Sequence, residues 1–320
     1  MSDAAEGTEA GRGAAEGARG PVEAERVGVE AGRDGAEAGR AGAGKILRAF
    51  ARNRLALFGA AAIVVIVGAA AFADTVAPHD PLTMQLLKTY APPGTPGHPL
   101  GTDNFGRDIL SRLIHGARIS LFIGIVVVSI AATIGTVLGL MAGYLGGWVD
   151  QLVMRSVEIF YAFPFLVLAI AVIAVFGPSI FNVMWVLGLV SWPIYARLVR
   201  AQVLALSDIE YIEAARASGM SRWRVMFKHV LPNTLTPIIV TATFGIPGAI
   251  LASAALGFLG MGVQPPTPEW GVMVSEGKDL IRRAPHMVTW PGVAIMLVVM
   301  SFNFVGDGLR DALDPKNRGR

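Results

Sequence analysis

The sequence predicts an all-α, polytopic membrane protein with six transmembrane helices, on three observations. Of its 320 residues, 53% are apolar and only 16% charged, whereas ordinary globular domains carry about 25% charged residues. With a mean hydropathy of +0.54, the apolar content exceeds what a soluble core hides. The apolar residues also fall in long uncharged runs, and the basic residues divide unequally between the two sides that those runs define. A purely soluble enzyme is excluded. With no cysteine there is no disulfide framework, zinc–thiolate site, iron–sulfur cluster or cysteine nucleophile.

Residues 1–44 hold eleven Gly and no aromatic residue, and EAGR recurs at Glu9, Glu30 and Glu37. Such a composition cannot offset the entropy of ordering, so the segment reads as a disordered tail. Arginines at 12, 19, 26, 33 and 40 repeat every seven residues, but the glycine density and the missing apolar a and d positions argue against a coiled coil. No apolar h-region marks a signal peptide. Nine acids against five arginines leave the tail at −4 and the remaining chain, residues 45–320, at +7.

A helix needs about 20 residues to cross a bilayer. Leu55–Ala73 supplies the first span, and Ile119–Val149 the second with a Gly-rich exit. Ile159–Ala196 is long enough for two, broken at Gly177-Pro178, a turn dipeptide. Val230–Pro268 reads as one crossing despite its prolines, and Met287–Gly306 closes the series. Residues 74–118 then form an extracytoplasmic segment and 197–233 a cytoplasmic loop. With the tail left out, this arrangement puts fifteen basic residues inside and seven outside, as the positive-inside rule requires. Both termini are expected in the cytoplasm, and the basic pI of 9.4 needs no nucleic acid.

The spans contain no ionisable residue, since Glu158 and Asp307 flank them. Ion-coupled transporters usually place titrating groups within the bilayer, so an outside source of energy is expected. Gly39–Lys45 fits GxxxxGK, but Ile46 stands where a magnesium-binding hydroxyl belongs and no strand precedes it. It is read as chance.

The cytoplasmic loop is organised as two short helices. Ser207 with Glu210 makes a capping box, Gly219 suits a left-handed stop, Ser221 is placed to cap a second helix bearing Trp223 and Phe227, and Pro232 is expected to end it. Glu213-Ala214-Ala215, Gly219 and Leu231-Pro232-Asn233 resemble the EAA signature of ABC importer permeases, with His229 where a hydrophobic residue is usual. The resemblance implies a type I permease fold and makes this elbow a coupling helix docking on a cytoplasmic ATPase. Glu213 would pair with a basic group, Ala214 and Ala215 allow close approach, Gly219 sets the bend, and Trp223 or Phe227 anchors the elbow to the membrane domain.

The likeness covers roughly residues 45–320. His98 to Asp103, with Gly101, Thr102 and Asp103, then Gly106-Arg107-Asp108 and Gly116 to Leu121, resemble the outer segment of dipeptide and oligopeptide importer permeases. So do Phe258–Pro266 with Glu269-Trp270-Gly271, and the ending Asn303–Pro315. The family pattern often has Glu and Ser where this chain has Ser253 and Gly257. The resemblance implies a plasma (inner) membrane subunit with no ATPase site and no bound cofactor. It would work with a second permease, two ATP-binding subunits that use ATP and Mg, and an extracytoplasmic binding protein. Peptide is the implied substrate, nickel or another small solute the alternative, and a lone ion-coupled transporter the rival.

His79, Asp80, His98, Asp103 and His115 crowd the outer segment, but their irregular spacing fixes no metal geometry. Asp103, Arg107, Asp108 and Arg112 read instead as ion pairs and caps at a helix start. Pro265 to Trp270 reads as an interfacial anchor, because Trp prefers the headgroup level. Gly135, Gly139 and Gly143 share a helix face suited to close packing. No Ser/His/Asp set or paired carboxylates within the spans mark a catalytic site.

Overall fold

Asn53 opens the first membrane helix. Its Oδ1 accepts the N–H groups of Leu55 and Ala56, each at 3.1 Å, as short polar caps do. This computed structural model describes residue 44, residues 47–207 and residues 218–313. Its helices are α1 (Arg54–Ala71), α2 (Ala73–Val76), α3 (Ile109–Leu145), α4 (Gly147–Tyr161), α5 (Phe165–Phe176), α6 (Ile180–Ser207), α7 (Arg222–Val225), α8 (Leu231–Phe258), α9 (Trp270–Gly277) and α10 (His286–Leu313). Among the described residues there are two isolated β-bridges, Thr95 with His98 and Thr102 with Asp108, and no strand. The chain divides into two units, Met1–Arg52 and Asn53–Arg320. In the first, residues 44 and 47–52 are helical. The arginine repeat of the tail lies outside the described residues.

Five helical stretches are long and apolar enough to cross a membrane, and a sixth is reached if the bent pair α4–α5 is one span. The third span differs from expectation. Its apolar helix α5 has 12 residues, about 18 Å at 1.5 Å per residue, short of the ~30 Å hydrocarbon core. It meets α4 at 89°, because the chain turns at Phe163-Pro164 as well as at the expected Gly177-Pro178. Helix α3 starts ten residues before the expected second span. Arg112, His115 and Arg118 excluded that start from an uncharged run, yet each finds an acidic or backbone partner there. Pro237 and Pro247 lie inside α8.

The bundle is held by two kinds of contact. Helices α3 and α6 pack most extensively through the glycine stripe: a Cβ on Gly135 would stand 2.5 Å from the Trp192 carbonyl, and one on Gly143 2.7 Å from the Val203 Cβ. Small residues let two backbones approach and gain dispersion contacts that lipid cannot supply. The apolar core joins α3, α5, α6 and α8 through Ile123, Val127, Ile173, Leu187 and Leu256. A second cluster joins α1, α3, α9 and α10 around Ile109, Trp270 and Met287.

Candidate translocation and coupling site

At one end of the bundle, the segment between α2 and α3 folds around buried charge. The Asp103 carboxylate accepts N–H groups from Phe105 (2.8 Å) and Arg107 (2.9 Å) and the Arg107 Nε–H at 2.6 Å. Arg107 Nη2 donates to Glu276 Oε1 at 3.0 Å, and Arg112 Nη2 to Glu276 Oε2 at 2.8 Å. Two guanidiniums, each 1% exposed, thus face two carboxylates. The sequence placed Asp103, Arg107, Asp108 and Arg112 together; it missed Glu276, which is 169 residues from Arg107 and belongs to no local pattern. Asp108 caps α3, accepting the Ser111 N–H at 2.8 Å and hydroxyl at 2.7 Å. Gly106 adopts φ +72° where a side chain would strike the Gln85 carbonyl. The Gly101 carbonyl accepts the Ile109 N–H, and the Thr102 hydroxyl accepts the Ala91 N–H and donates to the Lys88 carbonyl. On the rim, His115 and then Arg118 hold the exposed Asp74 carboxyl below its ordinary range.

Trp270 corrects the expected interfacial anchor. It is buried between α3 and α9, its indole N–H donates to the Leu113 carbonyl at 3.1 Å, and its ring fills the space left by Gly116. The preceding Glu269 caps α9 through the Val272 N–H at 2.9 Å and accepts the Ser120 hydroxyl at 3.3 Å. Burial raises its pKa, partly opposed by these hydrogen bonds. The bare Cα of Gly257 admits that carboxylate: a Cβ there would lie 3.1 Å from Glu269 Oε2. Ser253 is buried.

Between α3, α6 and α8 lies an apolar cavity of about 360 Å3, lined by Val128, Ala131, Phe165, Tyr195, Phe244 and Gly248 among others. Among the described residues, none of the buried charged side chains Asp103, Arg107, Asp108, Arg112 and Glu269 lines it.

The opposite end carries the elbow. Glu213, Ala214 and Ala215, with the Ser207–Glu210 capping box, fall on residues whose placement or side chains lie outside the described residues. Gly219 adopts φ +77° with open space around its Cα, a conformation that only glycine takes without strain. Three expectations fail here. Ser221 stands at the N-cap of α7 but makes no side-chain capping bond, and Pro232 does not end the helix. Met226–Val230 forms a π-turn in which the Leu231 N–H reaches back to the Met226 carbonyl. Widening the turn absorbs the missing proline donor, and the helix continues as α8. Trp223 and Phe227 do not anchor the elbow: they stack at 6.2 Å on its outer face, 56% and 51% exposed. Val225, Met226, Val230 and partly buried Leu231 do that instead, packing on Leu140, Val199 and Val203. Nearby, Arg200 clasps Asp150 through two hydrogen bonds of 2.5 and 2.6 Å.

Five or six apolar spans, with an ion-paired cap at one end and an exposed aromatic elbow at the other, define an integral membrane protein of the helical-bundle class. Comparison with known proteins refines that class. Residues 135–319 match the family described as binding-protein-dependent transport system inner membrane component, and residues 44–93 match the N-terminal TM domain of oligopeptide transport permease C. The chain is 53% identical to the dipeptide transport system permease protein DppC of Alkalihalophilus pseudofirmus, over 68% of this chain and 72% of that one. It is 47% identical to the di/tripeptide transport system permease protein DppC of Pseudomonas aeruginosa, over 84% and 90%. Its fold resembles a chain of the inward-facing MetNI methionine ABC transporter, with a TM-score of 0.52 at 23% identity over 63% of this chain and 97% of that one. The chain belongs to the binding-protein-dependent transport system inner membrane component family, the permease subunits of ABC importers.

Proposed function

We propose that this chain forms half of the translocation path of an ATP-driven importer of short peptides, in a cell's inner membrane with both termini cytoplasmic. The observation that carries the reading is the 47% identity to a di/tripeptide permease over 90% of that protein. The chain works with a sister permease, two ATP-binding subunits and an extracytoplasmic binding protein, and carries no ATPase site of its own. ATP and Mg are used by the partner subunits. Residues 1–44 form a cytoplasmic tail, 74–118 face outward and cover the path, and 197–233 couple to the ATPase. There Glu213, Ala214 and Ala215 make the docking face, Gly219 sets its angle, and the stacked Trp223 and Phe227 offer an apolar ledge to a partner. Closure of the ATPase pair draws two elbows together and opens the path outward; hydrolysis resets it. Switching such an equilibrium from 1:99 to 99:1 takes about 5.5 kcal/mol.

The test is reconstitution of the five-part assembly in liposomes with a labelled dipeptide. Uptake is expected only with ATP and the binding protein, and Gly219→Pro, whose ring fixes φ near about −65°, is expected to leave membrane insertion intact while uncoupling hydrolysis from uptake. Uptake by the lone chain under an ion gradient would overturn the reading.

A further inference from the structure

The sequence scatters His79, His98 and Asp108 over 30 residues, and their spacing fixed no metal geometry. The fold converges them: His79 leaves α2, His98 sits in the following turn, and Asp108 caps α3. One ligand atom from each lies within 4.8 Å of the other two. His98 Nδ1 is 3.0 Å from Asp108 Oδ1 and His79 Nδ1 is 3.9 Å from Asp108 Oδ2. The two imidazoles stack with centroids 4.8 Å apart. His79 Nδ1 is buried and has no hydrogen-bond partner, which costs free energy unless something occupies its lone pair. The other three expected candidates go elsewhere: Asp80 accepts the Leu82 N–H, Asp103 pairs with Arg107, and His115 pairs with Asp74.

We propose that His79, His98 and Asp108 form a site for a divalent cation of the imidazole-binding class, of which zinc is the probe. Two nitrogens and one carboxylate oxygen suit such a cation and leave a coordination position for water or an outside ligand. With bonds of ~2.0–2.1 Å, tetrahedral ligand atoms stand roughly 3.3 Å apart, so the widest pair closes by about 1.5 Å. His79, whose side chain is 31% exposed, supplies that movement. Ser111 holds the carboxylate: its hydroxyl donates to Asp108 Oδ2 at 2.7 Å and accepts the His79 N–H at 3.0 Å, the outer-shell support that orients metal ligands. Before loading, His98 Nδ1–H donates to Asp108 and Lys88 Nζ, 3.4 Å away, faces Nε2. On loading, the His98 proton moves from Nδ1 to Nε2, and the exposed Lys88 turns to solvent. The ion then clips the exit of the first span to the start of the second, a role that does not depend on which solute crosses.

The full chain is purified in detergent without a polyhistidine tag and dialysed against zinc, then against cobalt. One equivalent of zinc per chain, a visible cobalt band and a raised unfolding midpoint that a chelator reverses are expected. His79→Gln and His98→Gln should each weaken zinc binding by about tenfold or more while helical circular dichroism stays unchanged. The cobalt band is read on the unmutated chain, so misfolding of a variant cannot hide the result. No cobalt band and no stoichiometric zinc on the unmutated chain, or affinity undiminished in both variants, overturns the proposal.

Discussion

The two ends of the bundle are built on opposite principles. At the end formed by residues 77–112 with α9 and the start of α10, charges are buried and paired, Trp270 is packed inward, and the His286 ring donates to the Thr102 carbonyl at 3.1 Å. At the elbow, Trp223 and Phe227 face outward and the nearby Arg200–Asp150 ion pair remains partly exposed. One end pairs its buried charges within the chain and leaves His79 Nδ1 open. The other has left apolar surface unspent, as a surface awaiting a partner does.

Breaking the closed end should cost most. Glu276→Ala strands Arg107 and Arg112 without one of their two carboxylates, and an uncompensated buried charge costs about 3–5 kcal/mol; loss of folded protein in detergent, followed by size-exclusion chromatography, checks it. Overpacking comes next, because Gly135→Val pushes into the Trp192 carbonyl and should destabilise by about 1–3 kcal/mol, seen as a lower thermal midpoint. At the elbow the expectation reverses. Replacing Trp223 and Phe227 by Ala should change the isolated chain's stability by only about 0.5 kcal/mol yet reduce ATP-driven uptake; an equal loss of stability would erase the contrast between the ends.

Glu269 gives the smallest and most specific effect. Its pKa is raised above 4.5 by burial, so the folded chain holds this proton more tightly than the unfolded one. Its contribution to stability is therefore fullest below pH 4.5 and declines as pH rises through the raised value. Glu269→Gln, which keeps an acceptor for the Val272 N–H, should match the unmutated chain in acid, gain on it toward neutrality, and flatten the pH dependence of the midpoint.

Span number and the sites of close packing were legible because they rest on local features. Uncharged length marks a crossing, and glycines four apart mark a face, whatever else the chain does. Helix ends were misread wherever a charge or proline was neutralised from a distance. Arg118 looked like a boundary until the Ala70 and Ala71 carbonyls and Asp74 were found opposite it, and Pro232 looked like a stop until a π-turn supplied the missing register. The 89° bend beside Pro164 escaped a reading that weighed only composition along the run. In the candidate site, Asp103, Arg107 and Asp108 were seen as a set because they are neighbours in sequence. Glu276 and the convergence of His79 on Asp108 were invisible because nothing local encodes them.

By itself, the amino-acid order settled that this chain lives in a bilayer, roughly where it crosses, and which family of transport subunits it resembles, since hydrophobic length and short motifs are written residue by residue. Only the folded bundle decided which charges are buried, which aromatic rings are core and which are left exposed. Those outcomes depend on groups more than a hundred residues apart meeting within about 3 Å, where desolvation and pairing are decided together.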